Sequence, residues 1–131
     1  MKAFRQAVEA RDHAAVEATL ADDVVFTSPV AHKPYPGKPI TAAILRGVMR
    51  VFEDFEYVSE LAGDDGRHTA LVFRARVGER ELEGCDFIHV DDDGLIDTFT
   101  VMVRPLSAAQ ALAEAMAAQF PQIQAEAGGQ G

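Results

Sequence analysis

Hydrophobic residues near the start of the chain recur at intervals of three and four, which is the spacing of amphipathic helices. Phe4 and Val8 predict a first helix. Asp12 is a favourable N-cap for a second, short helix with Val16 and Leu20 on one side. The chain is therefore expected to begin with two helices.

The next segment mixes a strand, a loop and a third helix. Residues 24–27 predict a short strand that stops at Pro29. Residues 30–37 lack periodicity and contain two prolines and a glycine, which predicts a structured loop. Pro39 suits the first turn of a helix, whose apolar positions continue at helical spacing to about Asp54.

From residue 55 onward the period changes to two, which predicts antiparallel strands joined as a meander. The turn sequences lie at 63–66, 78–79 and 91–94, so the four strands span 55–62, 69–77, 80–90 and 95–103. Ser107 and Gln110 form a capping box for a last helix that ends before Pro121. One domain is expected over residues 1–124, followed by a disordered tail over 125–131.

One carboxylate interrupts the apolar pattern of the third of these strands. Alternation places Gly84, Asp86, Ile88 and Val90 on one face and Cys85, Phe87 and His89 on the other. If the first face points inward, Asp86 is a buried acid that either finds hydrogen-bond donors or raises its pKa and stays neutral. That is the chemistry of a general acid or base. The alternative is an ion pair with Arg74 or Arg80.

Helices followed by a sheet predict an α+β fold in which the helices cover the concave face of a strongly bent sheet. This arrangement leaves a cone. Its open end is a natural pocket for a small molecule, lined by residues 28–37 and by inward side chains of the strands.

This order of elements, together with the segment LADDVVFTSP over residues 20–29, resembles the cystatin-like cone of the nuclear transport factor 2 (NTF2-like) superfamily. The SnoaL-like branch is the most similar, over about residues 1–105. The superfamily includes isomerases, cyclases, dehydratases, epoxide hydrolases and non-catalytic binders, so the resemblance implies the fold more than the function.

A more distant resemblance, to ketosteroid isomerase, implies roles for three positions. Phe4 stands where that family has an oxyanion-hole tyrosine, and Ser28 stands where it has the aspartate that shuttles the proton. Asp86 matches its protonated aspartate, counted from Gly94. Because two of three catalytic groups are missing, we expect ketosteroid isomerisation to be negligible.

The candidate catalytic residues are Asp86 as the acid and His32, in the loop at the rim of the cone, as the base. An exposed loop histidine is the alternative for His32. Ser28 is a hydrogen-bond donor to a ligand or the end of a strand that bonds nearby backbone. The candidate ligand-binding residues are Phe4, Phe26, Ser28, Tyr35, Phe73 and Phe99.

Charge and composition exclude several classes of partner. The formal net charge of −9 would repel nucleic acid and anionic membranes. The chain has no signal-peptide pattern at Met1 and no apolar run of about 18 residues, so we expect a cytoplasmic protein. The acids at 91–93 lack the spacing of a calcium loop, and the histidines lack paired metal spacing, so no metal or cofactor is expected.

Three functions remain open. The first is a cofactor-free isomerase, cyclase or hydrolase that acts on a small hydrophobic, oxygenated molecule. The second is a non-catalytic binder of an apolar metabolite, and the third is a protein-interaction module. A homodimer is expected because Cys85, Phe87 and His89 would leave an apolar patch on the outward face of the sheet.

Overall fold

Helices at both ends of the chain flank a six-stranded sheet in the computed structural model, which describes residues 2–128. The elements in chain order are α1 (Lys2–Glu9), α2 (His13–Ala18), β1 (Leu20–Thr27), β2 (Tyr35–Pro36), α3 (Lys38–Val51), β3 (Glu53–Ala62), β4 (His68–Val77), β5 (Arg80–Val90), β6 (Ile96–Arg104) and α4 (Leu106–Gly128). The predicted α+β class, with helices before and after the sheet, is confirmed.

The strands follow the order β2-β1-β6-β5-β4-β3 across the sheet. Strands β3 to β6 form the predicted antiparallel meander, whereas β1 runs parallel to β6 on the other side of that strand. The register shifts in β1, in β3 and at the end of β5. Such irregularities bend a strand, which agrees with the curved, unclosed sheet of this fold.

Two predictions about the first half of the chain are wrong. Leu20 belongs to β1 and not to the second helix, because α2 ends at Ala18 with Thr19 as its C-cap. Leu20 is buried and pairs with Ile96 of β6, a contact that is distant in sequence. The loop at 30–37 contains the short strand β2, in which Tyr35 pairs with Phe26.

The two faces of the sheet differ as the alternation predicts. Leu71, Phe73 and Ile88 are buried on the concave face, which the helices cover. Asp86 lies on the same face and is 6% exposed. Phe87, by contrast, is 44% exposed on the convex face.

Helix α4 continues through Pro121 to Gly128, so the predicted end before Pro121 is wrong, and residues 125–128, where disorder was expected, are helical. Ile123 is fully buried against α3, at a point where a Cβ on Gly47 would come within 2.6 Å of its Cδ1 atom. Glu126 pairs with Arg46 at 3.3 Å and with Arg50 at 2.8 Å. These contacts hold the end of the helix. The remainder of the expected tail, 129–131, lies outside the described residues.

The length and the hydropathy of the helices also bear on membranes. Among residues 2–128, no helix is both long enough and apolar enough to cross a bilayer.

Candidate functional site

A cavity of about 190 Å³ lies between the concave face of the sheet and the helices. Its walls are mainly apolar and include two groups of aromatic rings. One group joins Phe4 and Phe26 to Phe99, with ring centroids 5.3 and 5.5 Å apart. The other is formed by rings within 6 Å of one another, from Phe52, Phe55, Tyr57 and Phe73.

Asp86 places a carboxyl group in this apolar wall. It lies in the middle of β5, opposite Leu71 of β4 and Val101 of β6. No lysine or arginine among residues 2–128 forms an ion pair with Asp86. Burial raises the pKa of its carboxyl from the usual 3.8 to about 8, and a hydrogen bond with Tyr57 opposes this shift. The group is therefore largely neutral at pH 7.

Tyr57 supplies the second polar group of the wall. It comes from β3, where it pairs with Phe73, and its hydroxyl is hydrogen-bonded with the Asp86 carboxyl. Burial, together with the nearby Asp86 charge, raises the pKa of the Tyr57 hydroxyl, so it stays protonated. The Arg5 guanidinium lies over the other side of the ring, 5.4 Å from its centroid.

Gly84 makes room for this arrangement. It pairs with Phe73 across the strands, and a Cβ at Gly84 would overlap the Phe73 ring. The far end of the ring therefore occupies the space above Gly84, two residues before Asp86 on the same face of β5. The absence of one side chain thus brings a phenylalanine, the tyrosine and the acid into one row across three strands.

The pair of Asp86 and Tyr57 has more hydrogen-bond donors than it uses internally. A neutral carboxylic acid and a phenol each carry one O–H, and one of these satisfies the bond between them. The other O–H is available to a ligand oxygen in the cavity. In an apolar site such a bond to a developing negative charge is considerably stronger than it would be in water.

Ser28 contributes less than its position at the cavity suggests. Its Oγ accepts hydrogen bonds from the backbone N–H groups of Val30 and Ala31, at 3.2 and 2.9 Å. These bonds form a turn at the end of β1, as the structural interpretation of Ser28 predicted. The Ser28 hydroxyl proton is still available, but no carboxylate occupies this position.

Further polar side chains reach the cavity from the helices. His13 and Glu17 lie one turn apart on α2, and Arg46 comes from α3. Arg46 is also the residue that pairs with Glu126 of α4. The cavity therefore has a second polar region besides Asp86 and Tyr57.

The family model of the SnoaL-like domain matches residues 1–99 of this chain. The chain belongs to the SnoaL-like family. No curated protein sequence matches this SnoaL-like chain.

Solved structures agree with this family. A structure described as a steroid delta-isomerase from Pseudomonas aeruginosa has 49% identity and a TM-score of 0.88, covering 93% of this chain and 89% of its own. An uncharacterised bacterial protein with a cystatin-like fold from Silicibacter pomeroyi has 32% identity and a TM-score of 0.84, covering 95% and 92%. An NTF2-like protein from Cytophaga hutchinsonii, at 16% identity, TM-score 0.61 and coverage of 79% and 86%, shares the fold alone.

Within this SnoaL-like fold, most of the predicted site residues meet at one cavity. Asp86 and all six candidate ligand-binding residues line it, namely Phe4, Phe26, Ser28, Tyr35, Phe73 and Phe99. Tyr35 packs against Phe120 of α4, with ring centroids 6.1 Å apart. His32 is the exception, because its side chain is exposed and does not line the cavity.

Four polar residues of the cavity were not predicted from the sequence, namely Tyr57, His13, Glu17 and Arg46. A signal for Tyr57 exists, since it follows Phe55 by two positions in a predicted strand and so shares its inward face. Its approach to Asp86 depends on the registers of β3 with β4 and of β4 with β5. The alternation within one strand does not fix either register.

Proposed function

We propose that this protein binds a small hydrophobic carbonyl compound in the cone and acts on it as a cofactor-free isomerase or cyclase. Tyr57 donates to the Asp86 carboxyl, and the Asp86 O–H donates a hydrogen bond to the carbonyl oxygen, which gains negative charge in the transition state. The observation that carries this proposal is a buried, cation-free Asp86 that is hydrogen-bonded with Tyr57 in an apolar cavity.

The Asp86–Tyr57 pair supports this chemistry because its donors are fixed before the ligand arrives. Donors that need no reorganisation stabilise a developing oxyanion more than mobile water does. Tyr57 also supplies a phenol hydroxyl to the cavity wall. Phe4 of α1 lines the same cavity but its ring carries no hydroxyl. The similarity to the Pseudomonas aeruginosa protein described as a steroid delta-isomerase supports an isomerase.

Isomerisation also requires a group that accepts a proton from the carbon next to the carbonyl. We infer that Glu17 has this role, because it lines the same cavity and Ser28 does not carry a basic group. The original candidate, His32, would need to move from its exposed position to reach a ligand. His13, one turn before Glu17, is placed to orient the carboxylate or to share the proton.

The size of the cavity limits the ligand. Pockets that hold drug-sized ligands typically enclose about 300–1,000 Å³. At about 190 Å³, this cavity suits a compound with one or two rings. A steroid with four rings would extend beyond this volume, and on this basis we expect negligible ketosteroid turnover.

A non-catalytic binder of an apolar metabolite is the second candidate. It is favoured by Ser28, whose hydroxyl oxygen is occupied by the backbone of its own turn at the position where a base would be expected. On this hypothesis Asp86 and Tyr57 recognise a ligand oxygen but no proton moves.

Two measurements test the proposal and separate the two candidates. Binding of 2-naphthol, an apolar phenol of suitable size, is followed by fluorescence. Conversion of a β,γ-unsaturated cyclohexenone to its conjugated isomer is followed by ultraviolet absorbance. We expect Asp86→Asn to retain naphthol binding and lose turnover, and Asp86→Leu to lose about 1–3 kcal/mol of binding as well.

Glu17→Gln is the matched variant for the base. It should lower turnover by about a hundredfold or more while the affinity for naphthol stays unchanged. If wild-type protein binds naphthol but converts no enone, the binder is correct and the enzyme is not. If Asp86→Leu binds naphthol as tightly as wild type, the cavity site itself is refuted.

A further inference from the structure

Two histidines meet on the convex face of the sheet, away from the cavity. His68 begins β4 and His89 lies near the end of β5, and the two residues are direct partners across the strands. Their ring centroids are 4.6 Å apart with the planes tilted by 55°. Both rings line an open groove on this face together with residues such as Phe87, Thr98 and Thr100.

Each imidazole is oriented by a carboxylate. His68 Nδ1 lies 2.5 Å from Asp65 Oδ2, and His89 Nδ1 lies 2.6 Å from Asp97 Oδ1. A carboxylate accepts a hydrogen bond from the Nδ1–H group, so the lone pair of each neutral ring is on Nε2. Hydrogen bonds of this kind fix the tautomer of metal-binding histidines and increase their basicity.

We propose that His68 and His89 form a site for Zn²⁺ or a related divalent transition metal, which binds through the two Nε2 atoms. Imidazole nitrogen is a preferred ligand of these ions. Two imidazoles that share one tetrahedral Zn²⁺, at about 2.0–2.1 Å, have ring centres roughly 5 Å apart. The observed separation of 4.6 Å is close to this value.

The surrounding charges favour a cation. Asp65 and Asp97 lie directly behind the two rings. The nearby Arg67 is paired with Asp92 at 2.6 Å, which offsets its charge.

The site supplies two protein ligands and leaves the other positions of the metal open. Among residues 2–128, no group of three or more His, Cys, Asp and Glu side chains is placed to hold a metal ion. Water therefore completes the coordination. Because the proposal involves only the convex face, it is independent of the function proposed for the cavity.

Isothermal titration with ZnCl₂ tests the site on the full chain. We expect wild type to bind one Zn²⁺, and His68→Ala and His89→Ala each to weaken binding by about tenfold or more. Asp97→Asn, which keeps both imidazoles, should weaken it by about 10- to 100-fold. His32→Ala is the matched control, since it removes an exposed histidine elsewhere, and should leave the affinity unchanged.

A measurement on wild-type protein makes the test independent of how the variants fold. In ¹⁵N NMR of the histidine rings, Zn²⁺ should shift the Nε2 signals of His68 and His89 while Nδ1 of both rings keeps its proton. Absence of Zn²⁺ binding in the titration would overturn the proposal. So would shifts confined to other histidines, or equal losses in His32→Ala and His68→Ala.

Discussion

The protonation state of Asp86 decides what the cavity can do. An ionised carboxylate accepts hydrogen bonds, whereas a neutral one also donates, and only the neutral form can stabilise a negative oxygen. Burial favours the neutral form, and the Tyr57 hydroxyl partly offsets this effect. The same residue can therefore bind a carbonyl below its pKa and lose that ability above it.

Carboxyl ¹³C NMR should detect this protonation directly. We expect the Asp86 signal of the free protein to titrate near pH 8, because its carboxyl is buried without a cation. Asp86→Asn identifies the signal by removing it. A midpoint at or below about 3.9 would show that the group is solvated or ion-paired and would remove the basis for its proposed role.

Tyr57→Phe should move this titration further from neutrality. Because the hydrogen bond from Tyr57 lowers the pKa of Asp86, its removal should raise that pKa above about 8. The affinity for 2-naphthol should fall by about tenfold, because the Asp86 carboxyl that binds the ligand oxygen loses the hydrogen bond that holds it in place. Tyr35→Phe is the control at the rim of the cavity. An unchanged Asp86 midpoint in Tyr57→Phe would show that the two groups do not interact.

Stability should depend on pH because the pKa of Asp86 is raised on folding. Between about pH 4 and pH 8 the folded chain holds a proton on Asp86 that the unfolded chain has released. The contribution of Asp86 to the free energy of unfolding is therefore largest at low pH and falls as pH rises through this window. In urea denaturation, the free energy of unfolding should fall less between pH 5 and pH 8 in Asp86→Asn than in wild type.

The role of Asp86 as an inward acid could be predicted from the sequence, and its partner could not. Alternation in β5 fixes the face of Asp86, because a shift by one residue would expose the whole apolar set. Tyr57 lies near Asp86 only because β3 pairs with β4 and β4 pairs with β5 in particular registers. The register of β3 shifts next to Tyr57, and such a shift leaves no simple pattern in the sequence. The exposure of His32 depends in turn on how its loop packs.

At the scale of elements, β3 to β6 and the first three helices were close to their predicted positions. The periods of two and of 3.6 residues are local properties that the sequence shows directly. The extension of β1 back to Leu20, the strand β2 and the end of α4 depend on contacts between distant segments. The packing of Ile123 on Gly47 is an example, since nothing near Pro121 in the sequence indicates that the helix continues beyond it.

Gly84→Ala should disturb the sheet where it forms the wall of the cavity. The new methyl group would overlap the Phe73 ring, so we expect a loss of about 1–3 kcal/mol in the free energy of unfolding. Phe73→Leu in the same chain should recover part of the loss, because the smaller side chain vacates the overlapping space. Gly78→Ala is unsuitable as a control, since its φ of 60° adds strain of its own.

Thermal or urea denaturation of the single and double variants measures this coupling. Losses in Gly84→Ala and Phe73→Leu that simply add would contradict a direct contact between the two residues. Displacement of the Phe73 ring should also lower the affinity for naphthol, since that ring lines the cavity.

At the scale of the whole molecule, the convex face carries exposed apolar side chains, among them Phe87 and Met102, at 44% and 58% exposure. We predict a homodimer that buries this face around Phe87 and Met102 and leaves its other end, with His68 and His89, open to water. Light scattering at micromolar concentration should give twice the chain mass of 14.2 kDa. Phe87→Lys should shift the equilibrium to the monomer. Glu79→Gln, in the turn between β4 and β5, changes the net charge by the same +1 and is the control. A monomeric wild type would contradict the prediction.

Helix α4 is both a wall of the cavity and the last of the elements described in residues 2–128. Its outer end is held by Ile123 and by the pairing of Glu126 with two arginines, one of which also lines the cavity. Only molecules with this end closed have a complete binding site, so the apparent dissociation constant equals the intrinsic one divided by the closed fraction. Fraying of the terminal turns thus weakens binding without touching any residue that contacts the ligand, and by reciprocity a bound ligand suppresses that fraying.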